Sequence, residues 1–234
     1  MRKYVLFFIL SMTGAVLNIV FNIALTHYIE LPLFLDTIFT VAVTLSCGLV
    51  WGIVCGAFTN IINSMIWFKG WGGLLFALCS VAVACVTFIF MRLFPRELDL
   101  TKAALKTPFD IYENSRIRKW MDKMIVLILL SFALCFAMSV LGGIIAALIL
   151  SMPSSHSPDA LVSTGFSVTM FSRNVPAALS ETLIRIPINI IDRLISAFAG
   201  YGIALAIRRL GSSAGRFRQS FFEREAARTL KDSF

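Results

Sequence analysis

No charged residue interrupts the chain between Tyr4 and His27, between Thr37 and Phe68, between Leu74 and Met91, or between Met124 and Met152. A helix that crosses a bilayer needs about 20 consecutive apolar residues. Four uncharged stretches of roughly that length or longer leave little choice: the chain folds in lipid, as helices. Composition agrees, with 58% hydrophobic and 15% charged residues, where a soluble domain carries about 45–50% and about 25%. The mean hydropathy is +0.85. The expected fold class is all-α: a polytopic membrane protein built as a six-transmembrane-helix bundle.

The boundaries follow from the polar breaks. The first span covers Tyr4 to His27, and Met1-Arg2-Lys3 before it reads as the start of a retained helix rather than a cleaved signal. After the break at His27–Pro32, the second span runs from Leu33 to Cys47 and the third from Gly48 to Trp67, with a very tight turn between them. Lys69-Gly70-Trp71-Gly72-Gly73 is a loop by composition. The fourth span is Leu74 to Phe94, ended by Pro95. A polar insert, 96–123, precedes the fifth span at Met124 to Met152, which is long enough to require tilt or projection. Residues 153–182 form a less apolar loop in which Ser157-Pro158-Asp159 resembles a helix start. The sixth span is Leu183 to Ile207. This gives a membrane domain over 1–208 and a basic tail over 209–234, where Phe217, Phe221 and Phe222 suit an interfacial helix.

The formal charge of +8 raises the question of nucleic acid. The basic residues sit between apolar spans rather than on a polar domain, which argues against it. They also orient the chain. With six spans, every Lys and Arg except Lys69, Arg173, Arg185 and Arg193 lies on one side. The positive-inside rule then puts both termini in the cytoplasm. The expected location is the cytoplasmic (inner) membrane. The five cysteines, Cys47, Cys55, Cys79, Cys85 and Cys135, all lie in apolar runs and read as packing residues.

Polar residues inside spans are costly and face protein or a cavity. In the third span Gly48, Gly52 and Gly56 recur every four residues, a ladder that admits a neighbouring helix closely. Asn60 continues the step and Asn63 follows three later; ligand contact and interhelical hydrogen bonding are both open for them. In the first span Ser11, Ala15, Asn18 and Asn22 share a face, with Ser11 and Ala15 suited to helix packing. In the sixth, Glu181, Arg185, Asn189, Asp192 and Ser196 form one stripe, extended by Gly200 and flanked by Arg193. The stripe is either an internal salt-bridge set, Glu181 with Arg185 and Asp192 with Arg193 or Arg185, or a polar site. Pro187 can open a bend there. Asp36 starts the second span, as a helix cap, a partner for Arg185 or a ligand contact.

The familiar catalytic signatures are absent from the sequence. It holds no G-x-x-x-x-G-K-S/T phosphate loop, no H-E-x-x-H and no G-x-S-x-G. His27 and His156 alone cannot make a metal site. An enzyme is not expected, nor a cofactor or metal.

Leu31-Pro32-Leu33-Phe34-Leu35-Asp36-Thr37, the run from Gly48 to Asn60 and the segment from Arg185 to Ser196 resemble helices two, three and six of substrate-binding (S) components of energy-coupling factor transporters. The resemblance spans about residues 4–208. It implies capture of a vitamin or related micronutrient at the outer face. It implies docking on a transmembrane coupling protein driven by two cytoplasmic ATPase subunits, followed by toppling to release the cargo. Separate ATPase chains fit the missing phosphate loop. The regions that bind substrate in the family carry Asp36, Asn60, Asn63, Glu181, Arg185 and Asn189 here. Where the family's first helix carries an A-x-x-x-A docking motif, this chain has Ser11-x-x-x-Ala15. The competing expectation is a membrane sensor or scaffold that signals through cytoplasmic partners.

Overall fold

The structure is a computed structural model that describes residues 2–25, 35–67, 71–95, 97–98, 116–150 and 177–231. Its elements are α1 (Arg2–Ala24), α2 (Ile38–Cys47), α3 (Leu49–Trp67), a 3-10 turn (Trp71–Phe76), α4 (Ala77–Leu93), α5 (Arg116–Leu150) and α6 (Ala177–Lys231). Every element among the described residues is helical. Five of these helices are long and apolar enough to cross a membrane, and α2 is a shorter apolar helix. This is the pattern of a multi-pass membrane protein.

The helices alternate in direction. Phe7 on α1 meets Trp51 on α3 edge to face, centroids 6.1 Å apart, while Phe21 at the other end of α1 meets Phe39 at the head of α2 at 5.8 Å. Helix α2 is the hub. It packs against α1, α3, α4 and α6, and Thr40, Val41, Ala42 and Thr44 are fully buried. Its ten residues span only about 15 Å, half a bilayer core. One core joins Val41 and Leu45 of α2 to Val83 of α4, to Val126, Leu127, Leu130 and Leu134 of α5, and to Ala197 and Ala204 of α6. A second holds Ala15, Val43 and Cys55 where α1, α2 and α3 meet. Phe8, Ile9, Val16 and Val20 of α1 and Phe132 and Phe136 of α5 point outward with more than half of their surface open. In water such a shell would be untenable; in lipid it is ordinary solvation.

Glycine sets how closely these helices approach. Gly48, between α2 and α3, has φ 97°, a backbone that only glycine adopts without strain. Gly52 lies against Thr44, and a Cβ on Gly56 would come within 2.8 Å of Ser80 Cβ and 3.1 Å of Thr40 Cγ2. Gly142 and Gly143 on α5 allow a paired test. A Cβ on Gly143 would stand 2.9 Å from the backbone nitrogen of Thr182 and 3.0 Å from its Cα, whereas one on Gly142 would make ordinary contact with Arg185 at 3.7 Å. Gly143→Ala is expected to cost about 1–3 kcal/mol, because backbone cannot step aside. Gly142→Ala should be close to neutral. Thermal unfolding in detergent compares the two directly.

Several sequence expectations change. The second helix begins at Ile38, not Leu33, because Leu35 adopts φ 38° and cannot continue a helix. Residues 71–76 of the glycine-rich region form a 3-10 turn that runs into the helix from Ala77, and the apolar span begins at Leu74 as expected. The end of the polar insert, from Arg116, is the first part of α5. Helix α6 begins at Ala177, inside the expected loop, passes Pro187 and continues to Lys231, so the basic tail prolongs the sixth helix instead of starting a separate one. Charge determines where a helix leaves lipid, not where it ends. The Ser157-Pro158-Asp159 helix start lies outside the described residues, as does the side chain of Glu181.

Candidate functional site

Most buried polar side chains collect at one end of the bundle, where α1, α3 and α5 finish and α2, α4 and α6 begin. Buried there are Asn18 and Asn22 of α1, Thr37 and Thr40 at the head of α2, Thr59, Asn60, Asn63 and Ser64 of α3, and Ser80 of α4. Ser139 of α5 and Asn189, Asp192, Arg193 and Ser196 of α6 complete the set. Alternating chain direction explains the gathering, since residues far apart in sequence return to one depth.

The centre is ionic. The side chain of Arg193 is 1% exposed, and its Nη2 bonds Asp192 Oδ2 at 2.6 Å and lies 3.7 Å from Asp36 Oδ1. Its Nη1 donates to the hydroxyl of Thr37, which in turn donates to Ser196 Oγ at 3.3 Å. Asp192 Oδ1 accepts the backbone N–H of Leu35 at 3.1 Å. A buried guanidinium is tolerated only when paired and hydrogen-bonded; two carboxylates and a hydroxyl serve its two Nη atoms, while Nε has no hydrogen-bond partner. Asp36 does not cap α2. Thr37 holds the cap position and makes no capping bond. Asn18 of α1 does this work in trans, accepting Phe39 N–H at 3.0 Å while its amide donates to Thr40 Oγ1 at 3.1 Å and Thr59 Oγ1 at 3.3 Å.

Around this centre the structure brings Arg185, Asn189, Asn60 and Asn63 to the same end. The guanidinium of Arg185 sits 5.7 Å from the Phe76 ring centroid, a cation–π distance, with Gly142 leaving room beside it. Asn189 donates to Ser139 Oγ at 2.9 Å, linking α6 to α5. Asn60 donates to Ser80, linking α3 to α4. Asn63 is buried with its Oδ1 lacking any hydrogen-bond partner. Ser11 and Ala15 are buried; Ser11 donates to the Trp51 carbonyl at 3.1 Å and Ala15 packs with Val43 and Cys55, so both face the inside of the bundle.

Asn60 and Asn63, three residues apart, are thus in different situations. Asn60→Leu should cost about 1–3 kcal/mol by removing a buried interhelical bond and stranding Ser80. Asn63→Leu should leave stability nearly unchanged, since its oxygen bonds nothing in the chain. If the two variants melt together, the distinction between a bonded and an open amide is wrong.

The sequence reading set Arg193 beside the stripe and missed the hydroxyls of Thr37, Thr40, Ser80 and Ser139. A Ser or Thr on an apolar helix carries no signal of its own, because it can bond back to its own helix, as Thr44 does to Thr40 and Ser131 to Leu127. All five cysteines are free thiols. Among the described residues, no group of His, Cys, Asp or Glu side chains is arranged to hold a metal ion. The geometry offers fixed donors and acceptors in a low-dielectric surround, suited to orienting a small polar molecule.

No family model matches the chain, and no curated protein and no solved structure matches it.

Proposed function

We propose that this chain is the substrate-binding membrane subunit of an uptake transporter of the energy-coupling factor type. In this reading it crosses the cytoplasmic (inner) membrane six times, with α2 as the short second crossing and both termini in the cytoplasm. The end of the bundle that holds Asp36, Asn60, Asn63, Arg185 and Asn189, and from which Glu181 also comes, then faces outward. It captures a vitamin-like solute there. A transmembrane coupling protein and two ATPase subunits, on separate chains, supply the driving force. The observation that carries the reading is the concentration of buried polar and charged groups at one end of an otherwise apolar bundle. Anchoring alone needs no such cluster, and intramembrane ionisable residues mark solute pathways. The resemblance of residues 31–37, 48–60 and 185–196 to S components supplies the transporter class.

Because Ser11 and Ala15 are buried in this chain, docking on a coupling protein would use another face of α1 or another helix. Affinity purification from native membranes tests the assignment. Two ATPases and a transmembrane protein in stable stoichiometry are expected. A histidine kinase or a cell-wall protein in their place would favour the second reading, a sensor or scaffold. One observation favours that alternative: α6 continues without a break from the polar end to Lys231, about 30 Å beyond Leu210.

A further inference from the structure

The three ionisable groups at the head of α2 differ in exposure. Asp192 and Arg193 have side chains 0% and 1% exposed, while that of Asp36 is 15% exposed. A solute entering from the outer side therefore meets Asp36 first. The two residues that flank Asp36 in sequence are both fastened to α6. Leu35 gives its N–H to Asp192 at 3.1 Å. Thr37 receives Arg193 Nη1 and donates to Ser196 at 3.3 Å. Leu35 also has φ 38°, a left-handed conformation that a leucine leaves unless its surroundings hold it there. The strain sits one residue before Asp36, so it determines the direction in which that side chain leaves the backbone.

We infer that Asp192 and Arg193 are positioning residues: they clasp Leu35 and Thr37, hold the strained turn, and set Asp36 as the outward-facing acceptor of the site without touching the solute themselves. The inference rests on the proposed solute-binding reading and adds a chemical class to it. An ionised carboxylate only accepts hydrogen bonds. The end of the solute that reaches Asp36 therefore carries N–H or O–H donors, as an amine, amide or hydroxyl does.

The test needs no solute. Asp36→Cys, Asp192→Cys and Arg193→Cys are made separately in the full chain, reconstituted in vesicles, and treated from outside with the cationic thiol reagent trimethylammonium-ethyl methanethiosulfonate. The unsubstituted chain reports the background from its own cysteines. Asp36→Cys is expected to react well above background and the other two at background. Adding Asp192→Leu, which removes the acceptor of the Leu35 N–H, to Asp36→Cys should slow labelling about tenfold, since releasing a left-handed leucine is worth about that factor in population. Thr37→Val, which removes the lighter half of the clasp, should slow it by a smaller factor and covers the case in which Asp192→Leu does not fold. Labelling of a folded, monodisperse Asp192→Cys or Arg193→Cys chain at the rate of Asp36→Cys would overturn the assignment. So would an unchanged Asp36→Cys rate in the folded Asp192→Leu chain, or in the Thr37→Val chain if the former is lost. If the labelling pattern holds and no solute is ever found, the solute-binding reading fails and the clasp stands.

Discussion

Arg193→Met is expected to be the most damaging single change in the membrane domain, with a loss of about 3–5 kcal/mol or no recoverable folded protein. The reason is asymmetric. The side chain is 1% exposed and lies between Asp192 and Asp36, so its removal leaves a fully buried carboxylate without its cation. Thr37 loses the bond from Arg193 at the same time, and Asp192, which holds the Leu35 N–H, loses its partner. Methionine keeps most of the volume, so the effect reads charge rather than a cavity. Replacing both ions, Asp192→Asn with Arg193→Met, should recover a large part of the loss, as paired neutralisation of buried ions commonly does. The melting temperature in detergent and the monodisperse fraction on size exclusion measure both steps. Equal melting temperatures for wild type and Arg193→Met would mean that the ionic centre is not a stabilising unit of the fold.

Arg185→Ala is expected to behave in the opposite manner: the chain folds and solute binding fails. Arg185 is half-buried at the polar end, with its guanidinium 5.7 Å from the Phe76 ring centroid. A charge-assisted hydrogen bond contributes about 1.5–3 kcal/mol, so affinity should fall by about ten- to a hundredfold. If Arg185 is instead half of a structural ion pair, the same substitution lowers the melting temperature, and neutralising its acid partner restores it. Measuring stability and binding on one preparation separates the two outcomes.

How much of this was legible in the sequence varied with the physical origin of each feature. The long apolar helices α1, α3, α4 and α5 follow from uncharged runs, because lipid leaves the backbone no other way to satisfy its hydrogen bonds. Asn18, Asn60 and Asn189 stood out for the same reason, as polar groups where none are affordable. The head of α2 was not legible. Leu35, Asp36 and Thr37 look like an ordinary helix start, since nothing in a leucine announces φ 38°. In that conformation Leu35 gives its N–H to Asp192, 157 residues further along the chain. The rank order of Arg185 and Arg193 was also hidden. Helical periodicity places Arg185 on the stripe and Arg193 beside it, but α6 packs against both α2 and α5, so two of its faces are buried and the flanking residue becomes the centre. The reach of α6 to Lys231 was invisible because the sequence marks where polarity changes and has no proline to stop the helix after Ile207.

The central claim, that the polar end of the bundle holds a small solute, is tested most directly by native mass spectrometry of the wild-type chain purified in detergent from its own membranes. Arg185→Ala is run beside it. The account predicts one discrete added mass on the wild type, released by mild activation and identified as a donor-bearing, vitamin-sized molecule, and the bare chain for Arg185→Ala. A bare wild-type chain that no vitamin-like solute stabilises against heat, or the same added mass on both proteins, would contradict it.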